Sequence, residues 1–268
     1  MQLYIYQNIG KYMDELHLNN IYHFSSMVES SIFSEKNFWN YPEELFIERA
    51  ISFKKETLLH LYIETTLWNH YNYDIRKSTD FYIDDAGFFE YVKELSDSYK
   101  VSFEYLDEKI DFENYEGDDL DQKFKDWWHN NEIKFRELFN KIADDVFYIL
   151  FGNRMLLLEF NQLVAENVSD IQFPQETLNP SGKLKRKYIP QWVKKAVFLR
   201  DKGRCTKCSR DLTGLIAVDS KQHYDHIVPL NQFGANDPTN MQLLCESCNL
   251  KKSGYKIETS KMYIKWWK

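Results

Sequence analysis

The sequence has no cysteine before residue 205, no internal repeat and no low-complexity block. Its longest purely apolar runs are short, such as "VFYILF" at 146–151, far below the roughly 20 residues that span a bilayer. The opening "MQLYIYQNIGKYMDEL" lacks the basic stretch and long apolar core of a secretory signal. A soluble, cytoplasmic chain with no membrane partner is therefore expected. Residues 1–180 also lack a glycine-rich phosphate loop, a nucleophile elbow and any metal-spaced cluster. His17, His23, His60, His70 and His129 are scattered, which suits surface or core histidines. No chemistry can be named for that part from its residues.

What is present divides the chain in two. With 268 residues, 43% hydrophobic and 16% aromatic, it can bury a core and has room for two domains. The net charge of −7 hides a split: residues 181–268 hold 18 Lys and Arg against 7 Asp and Glu, and residues 1–180 hold 16 against 34. The basic part suits a polyanion and the acidic part would be repelled by one. The acidic part reads mainly helical. Apolar residues recur at helical spacing over 42–71, 121–151 and 155–166, the last after a Gly-Asn break. One or two strands are allowed around 101–112. The stretch 168–187 contains Pro174, Pro180 and Gly182 and then turns basic, which is linker chemistry. "IPQWVKKAVFLRDKG" then reads as a short helix from Pro190 to Gly203. The expected organisation is α+β, with a mostly helical domain at 1–175 and a small second domain at 176–268.

All four cysteines, Cys205, Cys208, Cys245 and Cys248, lie in the basic part as two C-x-x-C pairs. Two such turns complete a tetrahedron of thiolates, which is a closed, structural zinc site. The pairs bracket an insert containing "HYDHIVPL" at 223–230. Within the insert, "GLIAV" (214–218) and "HYDHIV" (223–228) can pair as a hairpin. A strand end with polar decoration is the bland reading of the octapeptide, and a metal site with a base beside it is the other.

"RDKGRC-x-x-C", "DHIVPL", "NDPTNMQLLCESCN" and Lys252 together resemble the HNH endonuclease family in its four-cysteine, zinc-bearing form, over roughly 186–254. The resemblance implies a zinc-stabilised ββα-metal fold and hydrolysis of DNA phosphodiester bonds. It departs from the commonest pattern at "FGAND", where a Gly-Gly pair is frequent, and at Asn249, which replaces a histidine. It makes His226 the general base, and gives Asp225 and Asn249 as hard oxygen ligands for Mg²⁺ or Mn²⁺. Asn240 would hydrogen-bond across the loop between the second strand and the helix, fixing the base. Lys252 would contact a phosphate. In the run "KLKRK", Lys185 and Arg186 are phosphate-contact candidates or a solvated linker. Asp225 and His226 are sequence neighbours, so both can serve one site only at a strand's edge or end, and Pro229 favours an end.

The architecture suggests a bacterial restriction or phage-defence effector. A catalytically weak, zinc-stabilised nucleic-acid-binding or adaptor protein is the alternative. For the acidic part the readings are a scaffold or homodimer surface, or a domain that binds a protein partner. In a further reading, opposite charges on two domains joined by a short linker let the acidic part restrain the basic one.

Overall fold

The computed structural model describes residues 18–35, 41–77, 85–103, 118–215 and 221–263. Seven helices come first: α1 (Leu18–Ser30), α2 (Glu43–Ile51), α3 (Leu58–Lys77), α4 (Asp85–Tyr99), α5 (Asp118–Asn130), α6 (Glu132–Leu150) and α7 (Arg154–Asp170). α8 (Gln191–Arg200) leads into β1 (Gln222–His226), β2 (Met241–Cys245) and α9 (Glu246–Lys252). The fold is α+β, as expected. β1 and β2 form an antiparallel pair in which His226 faces Met241 and Gln222 faces Cys245.

Two helices expected to be continuous are each broken, and the breaks have local causes. In 42–71 the chain leaves the helix at Ser52, whose φ of −154° is extended. It re-enters at Leu58, where Thr57 and His60 form a reciprocal cap. The Thr57 amide donates to His60 Nδ1 (3.0 Å) and the His60 amide to Thr57 Oγ1 (3.4 Å), so histidine takes the place usually held by an acid. In 121–151 the break is at Asn131. Its buried amide donates to the Trp127 carbonyl (3.0 Å), a carbonyl its own backbone N–H also uses. Such side-chain competition for backbone acceptors disfavours helix interiors. α7 starts where expected, because Asn153 Oδ1 accepts from the amides of Met155 and Leu156. Residues 101–103 form no regular element; the rest of 101–112 lies outside the described residues.

α3 and α6 form the centre of the helical core. Leu58, Leu59, Tyr62, Ile63 and Leu67 pack with Phe135, Leu138, Phe139, Ile142 and Val146, and all are buried. That core does not stop at the basic part. Leu184, Ile227, Leu230 and Ala235 belong to the same buried cluster. A second, smaller cluster joins Val193 and Val197 of α8 to Leu212, Met241, Leu243, Leu244 and Cys245.

The stretch 168–187, read from the sequence as a linker, is itself packed. Gln175–Thr177 forms a 3₁₀ turn, Leu178 bridges to Leu184, and Leu184 is buried. The Lys187 amide donates to Asn236 Oδ1 (3.2 Å), and Asn236 Nδ2 donates to the Lys185 carbonyl (3.0 Å).

The loop 227–240 joins the two parts most closely. The Asn236 amide donates to the Ala50 carbonyl (2.9 Å) at the end of α2. Asn161 of α7 donates to Thr239 Oγ1 (3.3 Å). Asp237, fully buried, accepts from the Leu58 amide through Oδ2 (2.9 Å) and from the Thr239 amide through Oδ1 (2.8 Å). Its carboxylate thus caps α3 from the far end of the chain while starting its own 3₁₀ turn at Pro238. Burial pushes its pKa up, and the bonds from Thr239 and Leu58 oppose that rise.

Asp237→Ala should leave the Leu58 and Thr239 amides buried without acceptors. At about 1–3 kcal/mol for such a loss, Tm should fall by roughly 3–10 °C. Calorimetry of the zinc-loaded chain should show one transition for wild type and variant alike. A separate transition for the C-terminal part would refute the shared core.

Candidate active site

The two C-x-x-C pairs are built on two different turns. The first is a tight loop after α8, in which the Cys205 amide donates to the Arg210 carbonyl (2.9 Å) and the Ser209 amide to the Cys205 carbonyl (2.8 Å). Ser209 there adopts φ +61°. The second runs from the end of β2 into the first turn of α9, with Cys245 and Cys248. The four Sγ atoms lie within 4.8 Å of one another, and Cys208 and Cys245 are 3.7 Å apart. A tetrahedral zinc with Zn–S of about 2.3 Å has sulfur–sulfur edges of about 3.8 Å. All four cysteines are free thiols. The donor set fits a closed structural zinc, which would fasten β2 and α9 to the loop after α8.

β1 ends at His226. Asp225 and His226 both line one cleft of about 240 Å³, together with Arg186, Pro229, Leu230 and Asn231. A strand end thus resolves the opposite facing of neighbouring residues. The imidazole of His226 is almost wholly buried; its ring nitrogens make no well-formed hydrogen bond among the described residues, and Asn236 is the side chain near enough to act on them. Burial, followed by the positive charges of Arg186 and Lys252, holds its pKa down to about 3. At physiological pH the ring is neutral, which is the form able to accept a proton.

Asn240 clasps the loop that follows. Its Oδ1 accepts from the Val228 amide (2.8 Å), and its Nδ2 donates to the carbonyls of Val228 (2.9 Å) and Ala235 (3.0 Å). This loop follows the expected second strand, 223–228, and leads into β2 before α9, where a helix was expected to follow directly. Residues 216–218 of "GLIAV" lie outside the described residues. Gly234 lets the clasp close: a Cβ there would sit 2.0 Å from the Val228 carbonyl oxygen and 2.9 Å from Asn240 Nδ2. One glycine suffices for this contact, so Ala235 at the second position of the usual pair is accommodated and buried.

Lys252 is placed differently from expectation. Its side chain is 1% exposed, with Nζ 3.0 Å from Asp225 Oδ2 and donating to the His226 carbonyl (2.7 Å). It pins α9 to the end of β1 and is not open to a phosphate. Asn249, on the same helix, has its Nδ2 3.4 Å from His223 Nδ1. It does not line the cleft that Asp225 and His226 share. Of the basic run, Arg186 reaches the cleft. Lys185 points away, its Nζ donating to the Glu176 carbonyl (2.8 Å).

Asn236, Asp237 and the buried Arg200–Asp201 pair were missed. Arg200 Nη2 donates to the Met241 carbonyl (2.6 Å) and Asp201 Oδ2 accepts from the Leu243 amide (2.9 Å), so the pair braces the outer edge of β2. The Asp-Pro-Thr order at 237–239 was a usable signal, since Asp before Pro marks the start of a helical turn. Nothing local marked it as a cap for a helix near residue 58.

Zinc analysis of purified protein should give one ion per chain. Cys205→Ser or Cys248→Ser should lose it and lower Tm, because binding energy at such a site is largely folding energy. Active, fully folded protein without zinc would count against the assignment.

Comparison with known proteins agrees with the geometry. Residues 205–254 match the family model described as HNH endonuclease. No curated protein and no solved structure matches the chain. Together with the four-cysteine cluster, the match identifies residues 205–254 as an HNH endonuclease domain.

Proposed function

We propose that the protein is a divalent-metal-dependent endonuclease that hydrolyses DNA phosphodiester bonds. The observation that carries this reading is the end of β1, where Asp225 and His226 share one cleft with Arg186. His226 takes the proton of a water molecule as its oxygen attacks phosphorus, and the bond from phosphorus to the departing sugar oxygen breaks. Arg186 faces the added negative charge of the transition state. Asn240 holds the loop that fixes the direction of the His226 backbone. Asp225 would hold the divalent ion; Asn249, expected as a second ligand, lies outside this cleft. When bound, Mg²⁺ or Mn²⁺ supplies Lewis-acid charge to the phosphate and the leaving oxygen.

The helical part is read as a scaffold for this site. Cutting the chain at 181 would expose Ile227, Leu230 and Ala235 and leave Asn236 and Asp237 without their partners in α2 and α3. A second functional reading is favoured by one observation. The Lys252 ammonium already neutralises Asp225, which would suit a zinc-held nucleic-acid-binding module that does not cut.

Supercoiled plasmid with added Mg²⁺ or Mn²⁺ separates the two. Wild type should cleave and His226→Ala should be slower by about 10²–10⁴-fold, with zinc content and circular dichroism unchanged. Asp225→Ala should also fail. DNA binding with no metal-stimulated cleavage by wild type would select the binding module. Wild-type rates in the folded His226→Ala protein would reject the base.

The fragment 181–268, loaded with zinc, should cleave at least about 100-fold more slowly than the full chain, an effect of the size expected when catalytic groups are misplaced by about an ångström. Equal rates would reject the scaffold.

A further inference from the structure

A second cavity, of about 460 Å³, lies where the start of α7, the end of α8, the first C-x-x-C turn and the chain after α9 meet. Arg154, Arg200, Lys202, Arg204, Thr206 and Tyr263 are among the residues that line it, and none of its lining residues lines the active-site cleft. It carries four cationic side chains and a single carboxylate, Asp201. Asp201 is already paired with Arg200 at 2.9 Å.

The other guanidinium groups have hydrogen bonds but no counter-charge among the contacts described. Arg154 donates to the carbonyls of Ser260 (3.1 Å) and Met262 and lies over the Tyr263 ring. Arg204 Nη1 donates to the Ser209 carbonyl (3.2 Å). A neutral carbonyl satisfies a donor without cancelling its charge, and uncancelled charge in a partly buried place is costly. Arg200 adds a second sign of an absent acceptor. Its side chain is 2% exposed, yet Nη1 has no hydrogen-bond partner among the described residues. Arg154 is also the first residue of the 17-residue α7, whose dipole adds positive potential at that end.

A multiply charged anion with several acceptor oxygens meets these conditions better than a carboxylate, and guanidinium groups match phosphate geometry. The volume is in the range of small-molecule pockets, and Met262 and Tyr263 give it a partly apolar wall. We propose that this cavity is an anion site, separate from the active-site cleft, that binds the phosphate of a nucleotide-sized phosphorylated ligand. Its position ties it to the cleft through a hydrogen bond and a strand pairing. Arg200 donates to the carbonyl of Met241, and Met241 is the register partner of His226.

The test titrates AMP, pyrophosphate and a short 5′-phosphorylated single-stranded oligonucleotide into zinc-loaded full-length protein by calorimetry, without added divalent metal. AMP or pyrophosphate should bind. Lys202→Glu, a change at an exposed side chain, should weaken that binding about tenfold or more, the size of one lost charge-assisted contact. Arg186→Ala, in the other cleft, should leave it unaltered. Failure of both small probes to bind wild type would overturn the proposal. So would an unchanged affinity in Lys202→Glu, or a loss in Arg186→Ala that matched it. Binding of the oligonucleotide alone would also overturn it, by assigning the cations to a nucleic-acid strand.

Discussion

Most of the turn between the two strands, residues 234–240 above all, is buried, so its polar groups must find partners inside the protein. Asn236, Asp237 and Asn240 meet much of that requirement, and all three are fully buried. Asn240 closes the loop on itself through Val228 and Ala235. Asn236 reaches the carbonyls of Ala50, Ile51 and Lys185. Asp237 caps α3. A network of this kind is satisfied together or not at all, because each buried group left unpaired costs about 1–3 kcal/mol. The position of His226 therefore depends on helices almost two hundred residues earlier in the chain, through a loop that cannot relax without stranding several amides.

This dependence changes the meaning of the charge split. An excess of acid before residue 180 and of base after it suggests two bodies that attract or repel. Here the two parts meet through apolar side chains and hydrogen-bonded amides: Ile227, Leu230 and Ala235 in the core, Asn236 and Asp237 in the polar contacts. The opposite charges then belong to two parts of the chain that share one buried cluster.

The site was more legible in the sequence than the architecture around it. The cysteine spacing carries its own geometry, since each C-x-x-C places two sulfurs on one turn, and the four do gather. The pairing of Asp225 with His226 at a strand end followed from strand parity and Pro229, and both side chains line one cleft. Helix breaks at Ser52 and Asn131 were not legible, because apolar periodicity continues across both and the deciding contacts are single polar side chains. The burial of Lys252 was missed for a related reason. A lysine on a short basic helix reads as solvent-facing until the carboxylate and carbonyl that hold it are located. The capping of Leu58 by Asp237 joins residues 179 positions apart, a pairing that no local pattern encodes.

The electrostatics of the cleft follow from the same packing. His226 is enclosed between elements that give its nitrogens no well-formed hydrogen bond, with Arg186 on one side and the Lys252 ammonium held against Asp225 on the other. Burial, and then the two cations, make a positive charge on the imidazole expensive, hence its pKa near 3. The cleft is thus cationic around a neutral ring, and a negative group entering it would offset Arg186 and Lys252. Lys252 is kept in place by its contacts with Asp225 and the His226 carbonyl.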